Sequence, residues 1–501
     1  MSVPSISNGN VLRLITQQRA QFEQLQLQLG SGKKAQSYAE LGGQRQASLD
    51  AHSKIAAFDG FGETISQLNL RLSVVQSTFD RVNKVVTAQR GANATTAFTP
   101  VDGSQTAQQR LALTQLDEVI DLFNQDSGGR KLFSGRATTS DASLSSSDII
   151  QGVSGRSGLA DVISERNRAD LGADGLGRLQ QQLAGNTITL SETPSGVFGF
   201  KIGGTGGNLT NATIATNAGP PVNTVVNFTG IPNSGDDFRI TFNLPNGTST
   251  PLSLTAVNGA PGSGQFQIGA DAAATAANFN AALNSAVTSL ASSELRASST
   301  AAAADGFFDV SAGPPEKTPT RVDVSGGPAE SATQLLTTGT AGNTVTWYTG
   351  DTGGGSARQT AAVRIDTSIT VGYGIRATES GLRRIVSNLA AFAAVKFDPN
   401  DARTGNAYAA LSLTVRNGLG DTSGQTVQTI SSEIAVVQQS VTSAQTRQNA
   451  TRNILQNLLS DIENVDKQQV ATEILELQTS LQASYQTTSR LSQLSLVNFL
   501  N

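Results

Sequence analysis

Apolar residues recur at helical spacing at both ends of the 501-residue chain and at strand spacing in its middle. Near the start, alternating gaps of three and four residues predict an amphipathic helix. After the glycines of "LGSGKK", which can end that helix, a second run repeats every ~3.5 residues, the period of a coiled-coil seam. The first seam is Val11, Ile15, Gln18, Phe22, Leu25 and Leu29, and the second is Ile65, Leu68, Leu72, Val75, Phe79, Val82 and Val86.

The other end of the chain carries a longer seam of the same kind, followed by a shorter one. At ~1.5 Å per residue, the longer seam predicts a helix of roughly 57 Å. A closed helical bundle with no role in assembly is the alternative interpretation of these patterns. The longer seam is Val427, Ile430, Ile434, Val437, Val441, Ala444, Gln448, Thr451, Leu455, Leu458, Ile462 and Val465, and the shorter one is Val470, Ile474, Leu477 and Leu481.

The closing stretch, "LSQLSLVNFLN", is apolar where chain ends are usually polar. From Tyr485 onward, the apolar residues point to nearly every side of a helix, which is typical of a buried helix. One N-terminal helix covers one side, so we expect the two ends to pair into an inner domain that orders on assembly with neighbouring subunits. The predicted assembly interface is Val11, Ile15, Phe22, Leu25, Ile474, Leu477, Leu481, Tyr485, Leu491, Leu494, Leu496 and Phe499.

The middle of the chain reads as strands. "DFRITFNL" alternates Phe238, Ile240 and Phe242 with polar residues, and the turn residues of "PNG" precede a second alternating run, which together predict a hairpin. "NTITLSE", "GVFGFKIGG" and "NTVTWYTG" are further predicted strands. Asp271 can cap a helix with one apolar face formed by Phe279, Leu283, Val287 and Leu290.

These patterns predict an α+β fold that is elongated, with the N- and C-terminal helices paired in a coiled-coil-like bundle that encloses a β-rich inserted domain. Gly/Ser/Thr-rich stretches at 203–218 and 337–359 are predicted as boundary loops of the insert. The predicted divisions are an N-terminal inner helix (1–45) pairing with a C-terminal inner helix (467–501), two parts of a helical bundle (46–185 and 355–466), and the inserted α+β domain (186–354).

Composition removes most kinds of chemistry. The chain has no cysteine and one histidine, which excludes disulfides, thiol nucleophiles and a His-Glu-x-x-His zinc site. His52 is predicted to be a solvated surface residue, as is the pair Asp236–Asp237. "GGTGG" and "TGGGS" are predicted as flexible loops, because no helix start follows either of them as it would in a phosphate-binding loop. We expect no enzymatic activity, no metal and no cofactor.

The overall charge and hydropathy exclude several classes of partner. With 35 Lys+Arg against 39 Asp+Glu, the chain is nearly neutral, so neither nucleic acid nor an acidic membrane surface is predicted as a partner. No run of about eighteen apolar residues is present, so no membrane span is expected. The amino end lacks the pattern of a cleaved secretory signal, which predicts a soluble protein or one exported by a route without a cleaved signal.

Helical ends around a variable β-rich middle resemble the bacterial flagellin superfamily. "LQTSLQASYQTTSRLSQLSLVNFL" is most similar to the hook-associated protein 3 family, the hook–filament junction proteins. "GGRKLFSGRATTS" resembles the segment where the helical domain of the superfamily gives way to its β part. "LLSDIENVDKQQVATEILELQ" resembles its Ile-Glu-(Asp/Asn)-x-Asp segment, with Ile462, Glu463, Asn464 and Asp466 on that motif.

The resemblance covers roughly 1–140 and 360–501 and implies a secreted structural subunit, exported through the flagellar type III apparatus. It implies self-association, contacts with hook-associated protein 1 and flagellin, and an export chaperone at the C-terminal helix. The chain departs from the superfamily in having "SYAELGGQ" where an Asp-Asp pair is common, and it is long for a junction protein. A flagellin, or a non-flagellar fibre or adhesin, remains an alternative.

Overall fold

The computed structural model describes residues 8–193, 196–311 and 316–499, with side chains described between 12 and 490. Within it the chain has the predicted α+β character, with long helices at both ends and a β-rich middle. The helices are α1 Asn8–Ser31, α2 Arg45–Ala92, α3 Ala107–Asn124, α4 Ser146–Gln151, α5 Leu159–Leu171, α6 Ala272–Leu290, α7 Arg296–Phe308, α8 Ser380–Ala394, α9 Thr404–Gly420, α10 Val427–Glu463 and α11 Lys467–Phe499.

The strands form two four-stranded sheets and four short pairs. One large sheet has the order β5-β6-β9-β8 and the other β12-β11-β10-β7. The strands are β1 Asp126–Ser127, β2 Arg130–Lys131, β3 Gly152–Val153, β4 Arg156–Ser157, β5 Leu179–Ala184, β6 Thr187–Glu192, β7 Lys201–Gly207, β8 Ala212–Asn217, β9 Asn223–Phe228, β10 Asp237–Asn243, β11 Ser249–Val257, β12 Gln265–Gln267, β13 Arg321–Val322, β14 Leu335–Leu336, β15 Ala362–Arg364 and β16 Thr370–Gly372.

The chain divides into two compact units. The terminal unit comprises Met1–Leu68, Arg364–Thr370 and Gln439–Asn501, and the central unit comprises Asn69–Val363 and Val371–Gln438. The terminal unit contains α1, α11 and parts of α2 and α10. The central unit contains both large sheets and the helices α3 to α9.

The helices α2 and α10 lie antiparallel in each unit. Asp59 pairs with Arg452 at 2.9 Å in the terminal unit, and Gln76 Nε2 donates to Gln438 Oε1 at 2.7 Å in the central unit. The predicted seams are buried along most of their length, from Ile65 to Val82 on α2. Close packing of two long helices along a shared apolar seam therefore accounts for their pairing.

The predicted seams shift at their far ends. On α2, Val85 is buried in place of the predicted Val86, and on α10, Leu459 is buried while the predicted Leu458 is exposed. An α-helix has 3.6 residues per turn, so an apolar stripe drifts against a strict 3.5-residue repeat. The seam prediction was wrong at these two positions for that reason.

The two large sheets and α6 form a module with its own core, here called the β module (residues 179–290). Phe279 of α6 lies at its centre, with its ring 5.2 Å from the rings of both Phe238 and Phe266 and 5.5 Å from that of Phe228. Asp271 caps α6 by accepting a hydrogen bond from the Ala274 amide at 2.8 Å. The predicted cap and apolar face of this helix are confirmed.

The predicted hairpin is confirmed in register. Strand β10 buries Phe238, Ile240 and Phe242 and pairs antiparallel with β11, which places Ile240 opposite Leu252. The predicted strand "NTITLSE" is also confirmed, as β6. Both segments alternate because one face of each strand lies on the module core while the other faces outward.

The predicted flexible loop "GGTGG" is instead most of strand β7. The whole predicted boundary stretch, 203–218, holds β7 and β8, and β7 pairs with β10. Glycine gives no apolar alternation, so a glycine-rich strand cannot be recognised by its pattern. At Gly207, with φ of +132°, an added Cβ would lie 2.2 Å from the Asp237 carbonyl oxygen, which is why this strand needs glycine there.

Two other strand predictions were wrong in whole or in part. Only the end of "GVFGFKIGG" is extended in a sheet, because Gly199 adopts a φ of +79° just before β7 begins. "NTVTWYTG" forms isolated bridges at Thr344 and Tyr348 instead of a strand. Its Trp347 is fully buried and donates from Nε1 to the Phe308 carbonyl oxygen at 3.0 Å, so the segment fills the core of the helical part.

The helical part of the central unit is built around α7, which packs against α5, α8 and α9. The segment "GGRKLFSGRATTS" forms the β1–β2 hairpin and its exit, where Phe133 stacks on Phe123 at 5.2 Å. Two further helices, α4 and α5, follow before the β module begins. The predicted domain boundaries remain predictions, but the β-module core includes Leu179, and α7 lies within the predicted insert.

Candidate assembly interface

The two terminal helices pair directly. Gln18 Nε2 donates to Ser480 Oγ at 2.9 Å, and Ser484 Oγ donates to Gln18 Oε1 at 3.5 Å. Of the predicted interface residues, Ile15, Ile474 and Leu481 are buried in the described chain. Three more, Phe22, Leu25 and Leu477, are half-buried. The structure therefore brings α1 and α11 together on the predicted seams.

Six predicted interface residues remain, and the structure describes the side chain of one of them, Tyr485. Tyr485 is 47% exposed. The other predicted residues, Val11, Leu491, Leu494, Leu496 and Phe499, lie outside the described side chains. Whether any of the twelve contacts a neighbouring subunit stays a prediction.

Apolar side chains also lie on the outer surface of this helix pair. Leu12 is 64% exposed, Leu27 is 61% exposed and Leu475 is 63% exposed. These leucines are not among the predicted interface residues, because they fall between the seam positions. The sequence does contain a sign of them. A helix with one partner has polar residues on its outer faces, so apolar residues outside the seam indicate a further contact.

Backbone hydrogen bonds fasten the end of α1 to the turn between α10 and α11. The Lys34 amide donates to the Glu463 carbonyl oxygen at 2.7 Å, and the Val465 amide donates to the Gly32 carbonyl oxygen at 3.0 Å. Gly32 has φ of +70°, which favours glycine and ends α1 after Ser31. The helix break predicted at this position is confirmed.

The motif "IENVD" supplies the polar contacts of this junction. Glu463 Oε1 accepts a hydrogen bond from Ser48 Oγ at 2.6 Å and lies 2.8 Å from His52 Nε2, both on α2. The hydrogen bond from Ser48, with that from His52, lowers the pKa of the Glu463 carboxyl against the opposing effect of burial. Asp466 begins α11 by accepting from the Gln468 amide at 2.8 Å.

The single histidine lies at the surface as predicted, with its side chain 46% exposed. Its contact with Glu463 was not predicted, because the two residues are 411 positions apart. Ser48, Glu463 and His52 do not form a catalytic triad, since the serine hydroxyl is bonded to the carboxylate and not to the imidazole. Their arrangement orders a helix junction.

Neither residue of the predicted solvated pair in the β module is freely solvated, because the Asp237 side chain is only 15% exposed and pairs with Arg239. Asp236 is 8% exposed, and its Oδ2 accepts from the Thr210 amide at 2.8 Å, from Thr210 Oγ1 at 2.6 Å and from the Asn233 amide at 2.9 Å. These bonds lower the pKa of Asp236. The carboxylate thus ties a loop to a strand start, and the prediction was wrong for Asp236 because turn geometry is invisible in the pattern.

The described residues can also be assessed for a ligand cleft, a metal site and a membrane-spanning helix. A polar cleft of about 800 Å³ lies between α2 and α10 in the terminal unit, bordered by Phe58, Gly62 and Asn449. Across residues 8–499, apart from the gaps, no group of three or more His, Cys, Asp or Glu side chains is arranged to hold a metal ion. Over the same described ranges, none of the helices combines the length and apolar character needed to cross a membrane.

Comparison with known protein families gives a match at the C-terminal helices. No curated protein matches the chain. Residues 419–500, which hold the end of α9, all of α10 and α11, match the family model described as the bacterial flagellin C-terminal helical region. The junction of Glu463 and Asp466 lies inside this match. Over this segment the chain is similar to the C-terminal helical region of bacterial flagellins.

Proposed function

We propose that this protein joins the hook to the filament of the bacterial flagellum by polymerisation through its terminal helices. The observation that carries the proposal is the paired α1 and α11, which leave Leu12, Leu27 and Leu475 exposed on a helix pair within a chain that matches a flagellin C-terminal region. Exposed leucines on paired helices become favourable when a further helix covers them, because each fully buried leucine contributes roughly 1.5–3 kcal/mol.

The alternative is a flagellin, the filament subunit itself. The family description of the matched region favours it directly. The similarity of the closing stretch to hook-associated protein 3 favours the junction. In either role the protein is secreted, carries no enzymatic activity, and associates with copies of itself and with other axial proteins such as hook-associated protein 1 and flagellin.

The export route supplies one more partner. We propose that a chaperone holds α11 before export, because the exposed apolar side chains of an unpaired terminal helix favour aggregation unless they are covered. Pull-down of a cytosolic partner by the full chain, and its loss when residues 467–501 are removed, would support this. Unchanged recovery of the partner after removal would count against it.

Electron microscopy of the purified protein at high concentration separates the two roles. A junction subunit stays largely monomeric on its own and adds to hooks that carry hook-associated protein 1. A flagellin forms long filaments by itself and also adds to short seeds. Filaments without any added protein would overturn the junction proposal, and failure to bind either hooks or seeds would overturn a flagellar role.

A further inference from the structure

A second cavity, in the central unit, has the character of a binding site. It has a volume of about 580 Å³, within the range of roughly 300–1,000 Å³ that is typical of small-molecule pockets. Apolar side chains form much of its wall, including Ile163, Leu171 and Val395, and cationic side chains lie at its edge. The helices α5, α7 and α8 and the segment that follows α8 supply these residues.

Arg296, the first residue of α7, lines this cavity without an acceptor for its guanidinium. Among the described residues it makes no ion pair and no side-chain hydrogen bond, and its Cζ lies 5.6 Å from the centroid of the Phe397 ring. Burial lowers its pKa, with Asp401 opposing the shift from a distance beyond ion-pair range. A guanidinium has five donors, so the guanidinium of Arg296 has donors available to an acceptor that enters the cavity.

The charges that face this cavity are mostly positive. Lys396 and Arg403 line it and have no ion-pair partner in the described ranges, while Arg168 pairs with Glu330 at 3.6 Å. The negative charge of Asp170 is already balanced, because Asp170 Oδ2 accepts from Arg166 Nε at 2.7 Å. Asp401 is the remaining acidic side chain on the wall. A pocket with three unpaired cations and one anion attracts a negatively charged ligand.

The backbone beside Arg296 is irregular. The segment Ala291–Leu295 forms a π-helical turn between α6 and α7. Single π-turns within α-helices are rare and occur frequently at functional sites, because they re-aim the side chains that follow them. Here Ala291, Ser292 and Leu295 of the turn line the cavity together with Arg296. The amide oxygen of Asn167, on the opposite helix α5, is buried without a donor.

We propose that this pocket binds a small organic carboxylate with an apolar body. The carboxylate lies on the Arg296 guanidinium, which matches a carboxylate with two parallel hydrogen bonds, and Lys396 and Arg403 add attraction from the rim. The apolar body lies against Ile163, Leu171 and Val395. The site does not depend on assembly, so it is separate from the proposed function.

Calorimetric titration of the full chain with hexanoate tests the proposal. Hexanol, its uncharged counterpart, and inorganic phosphate, an anion without an apolar body, are titrated at the same ionic strength. We expect saturable binding of about one hexanoate per chain at concentrations up to about 10 mM, and binding about tenfold weaker or more for hexanol and for phosphate.

Substitution locates the site. Arg296→Gln should weaken hexanoate binding by about tenfold or more. The matched control Arg239→Gln, at an arginine that is 71% exposed on β10 and does not line the pocket, should leave it unchanged. If Arg296→Gln disturbs the fold, as judged by its melting curve, Arg403→Gln at the exposed rim replaces it, with a smaller expected loss of affinity.

Three results would overturn the proposal. The first is absence of hexanoate binding to the wild-type chain. The second is equal binding of hexanol or phosphate, which would remove the carboxylate or the apolar body from the assignment. The third is hexanoate binding that is insensitive to both Arg296→Gln and Arg403→Gln.

Discussion

The central and terminal units use large apolar side chains in opposite ways. The largest fully buried side chains of the described residues are aromatic and lie in the central unit, among them Phe79, Trp347 and Tyr408. The terminal unit buries smaller residues such as Ile15 and Leu481, and exposes several leucines along its helices. The central unit therefore has the interior of a domain that is stable by itself. The terminal unit has too little interior to be stable to the same degree, and it presents apolar surface to partners.

The largest expected effect is in the β-module core. Phe279→Ala removes a ring packed against three others, and loss of a buried phenylalanine destabilises by about 3–5 kcal/mol. Phe22→Ala makes the same chemical change on α1, where Phe22 is only half-buried. It should lower the free energy of unfolding by less than about 1 kcal/mol. Urea unfolding followed by circular dichroism measures both. Equal losses would mean that the two units do not differ as described.

Charge on the exposed face of α11 should affect assembly without affecting the monomer. Leu475→Asp places a carboxylate where we propose a dry contact between subunits, and an unpaired buried charge is strongly disfavoured. We expect loss of incorporation into flagella and almost no change in the melting temperature of the monomer. Gln478→Asp, an equally exposed position of α11, is the matched control.

Two outcomes would contradict this expectation. If cells with Leu475→Asp swim normally, the exposed leucine is not in an assembly contact. If the monomer melts at a much lower temperature, the residue belongs to the core of the monomer. The substitutions Leu494→Asp and Leu496→Asp, predicted from the sequence, should behave like Leu475→Asp in both measurements.

The junction of Glu463 should make the terminal unit sensitive to acid. Because the folded-state pKa of Glu463 is lowered, its stabilisation is present above the unfolded-state value of 4.5 and is lost as the pH falls below that value. Glu463→Gln should lower the free energy of unfolding by about 1.5–3 kcal/mol at pH 7, since hydrogen bonds to a charged acceptor are worth roughly that much. Unfolding of wild type and variant should converge as the pH falls below 4.5, and a difference that stays constant would argue against the carboxylate.

The smallest expected effect is that of removing the β module on the terminal helices. The two ends of the module lie close together. A Cβ added at Gly177, just before the module, would come within 2.7 Å of the side chain of Leu295, just after it. A short Gly/Ser linker can therefore replace residues 179–290. We expect the helical signal of α1, α2, α10 and α11 to be retained in circular dichroism, and collapse of that signal would show that the module supports them.

The sequence pattern predicted the long helices well because their seams extend over many turns. The run from Ile65 to Val82 needs no knowledge of its partner to be recognised as one buried face. Strand β10 was predictable for the same reason, since its three buried residues alternate strictly. Periodic burial follows from the local order of apolar and polar residues, so it can be recognised from the sequence.

The features that were missed depend on contacts between distant residues. The strand at "GGTGG" exists because β10 pairs with it, and "NTVTWYTG" is not a strand because Trp347 reaches Phe308 instead. At the candidate site, His52 and Ser48 are joined to Glu463 across more than four hundred residues. The pocket at Arg296 combines residues from four separate segments. No spacing within any one of them indicates it.

The hydrogen bond between Gln18 and Ser480 closes a loop of 462 residues, which bears on the order of folding. Contacts of such high sequence separation form late, because the ends of a long flexible chain meet rarely until the intervening residues have become compact. We expect the central unit to fold first and the terminal helices to join last. Most of the stability of a protein helix comes from packing of its apolar face, so α1 is marginal in water until its partner arrives. The first residues of the chain must therefore wait for the last ones before their own structure is complete.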